Sequence, residues 1–169
     1  MDKKERLIRL YTRVYSRPGS VALLKLLGTL AVVYVILSFS AVNVTLLISG
    51  EYIECVKLCT VAAIPFLAVS AMRLLLNVPR PYETVDFPPF EAMKGERKAG
   101  KSFPSRHVFS AVLLGTLTLA YSIPLGIMTL VIGVFIGAER VLLGIHFTRD
   151  AVVGGIMGVL SGVIGILFL

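Results

Sequence analysis

The sequence predicts an all-α membrane protein: a polytopic bundle of about five transmembrane helices with an interfacial amphipathic helix at its N-terminus. Three observations predict it. Hydrophobic residues make up 56% of the 169 positions and charged residues 16%, with a mean hydropathy of +0.87, more apolar than a water-soluble domain with a polar exterior. The apolar residues fall into runs close to the roughly 20 residues that cross the hydrocarbon layer. The charges gather at the ends of those runs. Lipid tolerates only backbones that satisfy their own hydrogen bonds, so the spans pack as helix on helix, and the length suits one domain over residues 1–169.

The first element, over 1–17, places Leu7, Ile8, Tyr11, Val14 and Tyr15 on one face, with Lys3, Lys4, Arg6, Arg9, Arg13 and Arg17 around the remainder. That pattern suits a helix lying on the membrane surface. Pro18 and Gly19 break it, so 1–19 forms the interfacial segment. The first span covers Ser20 to Val42, with Lys25 placed to snorkel; its length and the lack of a small-residue cleavage site argue against a secretory leader. The second runs from Ile53 to Leu76, carries Arg73 in its last turn and stops before Asn77, Val78 and Pro79. A polar connection from Arg80 to Ser102 holds Asp86, Pro88, Pro89, Glu91, Lys94, Glu96, Arg97 and Lys98, long enough to be a lid or a flexible connector. The third span is expected from Pro104 to Ser122 and the fourth from Pro124 to Leu143, with Gly133 and Gly137 one turn apart. Asp150 begins the fifth, where Gly154, Gly158 and Gly162 form a seam for close packing.

The formal charge of +7 fits anionic lipid headgroups and an anionic substrate rather than nucleic acid, because the basic residues sit at span ends. Cys55 and Cys59 lie four apart in an apolar run without a neighbouring histidine and are expected to be helix-packing residues rather than a metal site or disulfide. No feature of the sequence sets an oligomeric state.

The stretch KSFPSRHVFS, Lys101 to Ser110, has no role that membrane burial demands. Pro104 suits a first helical turn and Ser102 or Ser105 a cap. Free amides at the positive end of a helix dipole, beside Ser105, Arg106 and His107, suit a phosphate-like anion; a plain capped helix with a snorkelling arginine explains the same residues. Arg73, Arg80, His107, Glu139, Arg140, His146 and Asp150 also sit at span ends, where ionisable groups are costly. With alternating spans, all seven share one side of the membrane. Three arginines there can fork onto one phosphate. His146 and Asp150, four apart, allow the carboxylate to fix one imidazole tautomer and leave the other nitrogen free.

Arg73 to Pro81, Pro104 to His107 and Glu139 to Asp150 resemble, in order and spacing, the three signature motifs of the type 2 phosphatidic acid phosphatase family of membrane lipid phosphatases. Arg73, six residues, then Arg80-Pro81 stands for the first, with arginine in place of lysine. Pro104-Ser105-Arg106-His107 stands for the second, with Arg106 in place of glycine. Arg140, five residues, His146, three residues, Asp150 stands for the third, with Glu139 in place of serine. The resemblance covers residues 73–150. It implies that His146 attacks phosphorus to form a phosphohistidine, that Asp150 orients it and that His107 protonates the leaving lipid oxygen. Arg73, Arg80, Arg140, Ser105 and, as an added ligand, Arg106 would bind the phosphoryl group, with no metal and no cofactor. Glu139 would have to turn away, be protonated or pair with an arginine such as Arg106.

The expected function is therefore hydrolysis of a lipid phosphomonoester or diphosphate: phosphatidic acid, phosphatidylglycerol phosphate, or a polyprenyl phosphate or diphosphate. The alternative is a catalytically silent relative that binds lipid phosphates or serves as a scaffold, supported by Glu139 and Arg106; a transporter fits poorly with a few short spans and no repeat. Two spans before the first motif put the N-terminus and the motif loops on one side. Lys94, Arg97, Lys98 and Lys101 add to the N-terminal basic residues there, which predicts a cell-membrane protein whose site faces the cytoplasm.

Overall fold

Each helix begins and ends where the chain's own chemistry dictates. The structure, a computed structural model, describes residues 3–90 and 99–169. The helices are α1 (Lys3–Tyr15), α2 (Ser20–Ile48), α3 (Tyr52–Leu76), the single turn α4 (Pro81–Thr84), α5 (Arg106–Leu119), α6 (Ile123–Leu142) and α7 (Thr148–Ile166). Asn77, left-handed at φ 40°, caps α3 ahead of Pro79, and Pro81 opens α4 at a position where its missing N–H costs nothing. Four helices, α2, α3, α6 and α7, are long and apolar enough to cross a membrane.

The remaining apolar helix, α5, is shorter than expected. In place of a span from Pro104 to Ser122, the helix starts at Arg106 and has 14 residues. Carbonyls of residues 101, 102 and 104 are held by the Arg73 guanidinium, which keeps that stretch out of helical pairing. Helix α5 is nonetheless the axis of the bundle. Val108, Phe109, Ala111, Val112, Leu113 and Leu117 are buried around its circumference, against Leu58, Ala62 and Val69 of α3 on one side and Ala31, Val35 and Ile136 on another. Large apolar side chains facing outward, such as Ile36, Leu75 and Val134, are left for hydrocarbon to cover.

The glycine seam of α7 lies on α5. A Cβ at Gly154 would stand 2.6 Å from the Ser105 carbonyl oxygen, and one at Gly158 2.8 Å from that of Phe109, so the two backbones touch. Ser38 and Thr129 join α2 to α6 by a buried hydroxyl pair at 2.7 Å. Cys55 and Cys59 both turn their thiols to the Asn43 amide oxygen, at 3.3 and 3.2 Å.

The amphipathic α1 forms, but its apolar face meets protein. Tyr11 is fully buried among Tyr82, Val85, Phe87 and Phe90, with Leu7, Ile8 and Tyr15 packed against the same cluster. Tyr11 meets the Phe90 ring edge-on at 4.8 Å, a geometry aromatic pairs favour. Arg6, Arg9 and Arg13 remain exposed. Of the polar connection, Glu91, Lys94, Glu96, Arg97 and Lys98 lie outside the described residues.

Candidate active site

The three motif segments meet on the short stretch Gly100 to Ser105. From the first motif, Arg73 donates to the carbonyls of Lys101, Ser102 and Pro104, and Arg80 Nε donates to the Gly100 carbonyl at 2.9 Å. Glu83 completes that side: its carboxylate accepts from the Gly100 N–H at 2.9 Å and from the Arg80 N–H at 2.7 Å. Gly100 has φ 70°, and a Cβ there would stand 2.2 Å from Asn77 Oδ1, so no other residue fits this turn without strain. From the third motif, the Asp150 carbonyl accepts the Ser105 N–H at 2.9 Å.

His146 sits in the α6–α7 turn and is 1% exposed. Its Nδ1 faces Asp150 Oδ2 at 3.8 Å, beyond direct hydrogen-bond reach. The hydroxyl of Ser102 fills the gap, donating to Asp150 Oδ2 and standing 3.4 Å from His146 Nδ1. Asp150 Oδ2 also accepts the Phe147 N–H at 3.1 Å, and Oδ1 faces Arg149 Nε at 3.4 Å. The pair expected to touch directly is thus joined through a third residue. Nδ1–H toward Ser102 and Asp150 fixes the tautomer that leaves Nε2 unprotonated. Burial pushes the His146 pKa below its ordinary value of 6.5; Asp150 opposes the shift, while Arg80 and Arg73 add to it. Burial and the two arginines thus favour the neutral ring.

Sequence reasoning gave Ser102 only a capping role. The N-cap of α5 is in fact Ser105, without a side-chain capping bond, and Ser102 is fully buried and turned toward α7. Its place two residues before Pro104 was visible, but its partner was not. Ser102→Ala is expected to lower kcat about tenfold with little change in KM, since it removes one orienting hydrogen bond, and Ser102→Thr should restore most of the loss. An alanine variant at full kcat would show that Asp150 orients the ring unaided.

The Ser105 hydroxyl is buried without a hydrogen-bond partner among the described residues. An orphaned buried hydroxyl costs about 1–3 kcal/mol, a cost that an anion bound beside it would offset. Arg140 lies beside Glu139, Nε to Oε2 at 3.1 Å, and Glu139 is 1% exposed. The Glu139 carboxylate rests on Gly28 of α2, where a Cβ would stand 2.6 Å from its carboxyl carbon. The partner of Glu139 is thus Arg140 rather than Arg106, which instead covers the Phe66 ring with Cζ 5.7 Å from the centroid. His107 lies within electrostatic range of Arg140, His146, Arg106 and Arg73, and with Arg106, Ser110 and Phe66 it lines a groove of about 290 Å³.

The α6–α7 turn is also held from the N-terminal side. Tyr15 Oη donates to the Leu143 carbonyl at 3.1 Å, the Tyr82 N–H donates to the Gly144 carbonyl at 3.2 Å, and the Phe90 ring lies on Gly144. Helix α1 and the three motifs therefore occupy one end of the bundle.

A comparison with known structures finds the crystal structure of Aquifex aeolicus LpxE similar in fold. The TM-score is 0.68 at 21% identity, over 95% of this chain and 94% of that one. Comparison with curated proteins gave no significant match. The family model described as the PAP2 superfamily matches residues 54–169, a stretch that includes all three motifs. On that match, which takes in His107, His146 and Asp150 and covers more than half of its length, the chain belongs to the PAP2 superfamily.

Proposed function

We propose that the protein hydrolyses the phosphomonoester or diphosphate of an amphiphilic lipid through a phosphohistidine at His146. The observation that carries this is the His146–Ser102–Asp150 arrangement, which leaves Nε2 available at the end of the bundle where the Ser105 hydroxyl is also buried without a partner among the described residues. Nε2 attacks phosphorus as the bond to the lipid oxygen breaks, and His107 gives that oxygen its proton. Water then attacks the phosphohistidine, returns a proton to His107 and releases orthophosphate. Arg73, Arg80 and Arg140 supply positive charge around the transferring group, while Arg73 and Arg80 also hold the 100–104 backbone. Purified protein in detergent should release phosphate from at least one of phosphatidic acid, phosphatidylglycerol phosphate and polyprenyl phosphate or diphosphate. Failure on all of them would overturn the proposal.

The site is also proposed to face the cytoplasm. Helix α1 shares its end of the bundle with the motifs and exposes Arg6, Arg9 and Arg13 there, while the turns Ser49–Glu51 and Ala120–Ser122 at the other end carry no lysine or arginine. Short loops rich in lysine and arginine stay cytoplasmic. With Cys55 and Cys59 replaced by serine, Ala99→Cys should resist an impermeant maleimide in intact cells and react after lysis. Labelling before lysis would place the site outside.

A further inference from the structure

The chemistry proposed above gives Arg106 no part. Its guanidinium is exposed and covers the Phe66 ring, on the wall of the groove that also contains His107. The rest of that wall is mainly apolar: Val32, Val35, Ala111 and Ile136 line it. Among the described residues no carboxylate pairs with Arg106; the ion pairs join Glu54, Glu139 and Asp150 to other partners. An arginine is costly on an apolar membrane-embedded wall, and a ring face satisfies neither its full charge nor its forked donors.

Position along the groove defines what it meets. If His107 protonates the leaving oxygen, the lipid tail must pass down the apolar groove from that point, and Arg106 stands beside the first atoms behind the oxygen. We infer that Arg106 recognises a second anionic phosphate on the leaving-group side, so that this site favours lipids carrying a further phosphate behind the scissile one. The inference rests on the phosphatase reading of the site. With a lipid diphosphate, Nε2 of His146 takes the terminal phosphoryl group, the bridging P–O bond breaks, and the bridging oxygen leaves on a lipid monophosphate as His107 protonates it. Arg106 neutralises that departing phosphate through charge-assisted, forked hydrogen bonds. A phosphomonoester borne on a phosphodiester headgroup presents the same second anion. A monoester whose leaving group is a neutral alcohol presents none.

The test compares kcat/KM for polyprenyl diphosphate, phosphatidylglycerol phosphate and phosphatidic acid in the wild type, Arg106→Gln and Arg106→Lys, with Tm recorded for each. The wild type should prefer one or both of the first two over phosphatidic acid, and the two arms distinguish a diphosphate from a phosphodiester as the source of the second anion. In Arg106→Gln that preference should shrink by about tenfold or more, the discrimination of one charge-assisted hydrogen bond, and Arg106→Lys should recover part of it. Turnover without a preference in the wild type, or an equal loss on all three lipids in Arg106→Gln, would overturn the inference alone. No turnover of any lipid would overturn the phosphatase reading with it.

Discussion

His146→Ala is expected to abolish phosphate release, by about ten-thousand-fold or more, while the protein still folds. Removing a covalent nucleophile eliminates the reaction path itself, whereas loss of a binding group only weakens it. The ring sits in a turn fixed from three directions, by Ser102 and Asp150 at Nδ1, by the His146 N–H donating to the Arg140 carbonyl at 3.2 Å, and by the Tyr15 bond to Leu143, so alanine leaves that backbone in place. Acid quenching of the wild type with labelled substrate should trap an acid-labile phosphoenzyme that the variant lacks. His107→Ala should behave differently: slow on lipids, it should still form the phosphoenzyme with an aryl phosphate whose leaving group needs no proton. Percent-level turnover by His146→Ala would place the nucleophile elsewhere.

Gly154→Ala is expected to cost about a hundredfold in activity although it adds one methyl group and touches no substrate. Its Cβ would stand 2.6 Å from the Ser105 carbonyl oxygen, a main-chain atom that cannot rotate away. One turn earlier, the Asp150 carbonyl accepts the Ser105 N–H at 2.9 Å, so α7 is docked to the start of α5 at both points. Relieving the clash parts the two helices by about an ångström, and misplacement on that scale costs on the order of a hundredfold. Overpacking of about 1–3 kcal/mol should also lower Tm by about 5 °C. Gly155→Ala is the control, since its Cβ would meet only Val108 at 3.8 Å, and it should keep activity within about twofold. Equal behaviour of the two variants would show that this contact does not position the site.

What the sequence disclosed depended on whether a side chain or the main chain carried the signal. Spans were legible because hydrocarbon thickness sets their length, and the end of α3 was legible because Asn77, Pro79 and Pro81 announce it. The meeting of Arg73, Arg80, His146 and Asp150 at one end followed from counting spans. The start of α5 was placed too early because the groups that hold residues 101–104 out of helix are carbonyls, which have no letter in a sequence. Ser102 was overlooked for a different reason: its side-chain partner lies 48 residues away and its spacing is not that of any periodic element. Amphipathicity in α1 specified a face but not its cover, and Tyr82, Phe87 and Phe90 compete with lipid for Tyr11. Arg106 and Glu139 departed from the expected motif letters, and only geometry could show that one goes to Phe66 and the other to Gly28 and Arg140.

The brevity of α5 sets a depth. Its 14 residues rise about 21 Å, whereas the hydrocarbon layer is about 30 Å thick. With the 120–122 turn at one surface, the start of α5 lies roughly 9 Å beneath the other, and His107 about one residue's rise deeper. A lipid phosphate resting at the height of its neighbours' headgroups therefore stands above the reacting atoms. Either the leaflet thins around the protein, or the substrate sinks out of its row until its phosphate reaches His107, with longer helices rising around it as walls. Turnover then becomes sensitive to the bilayer itself: a thin membrane brings the phosphate down to the site, and a thick one lifts it away.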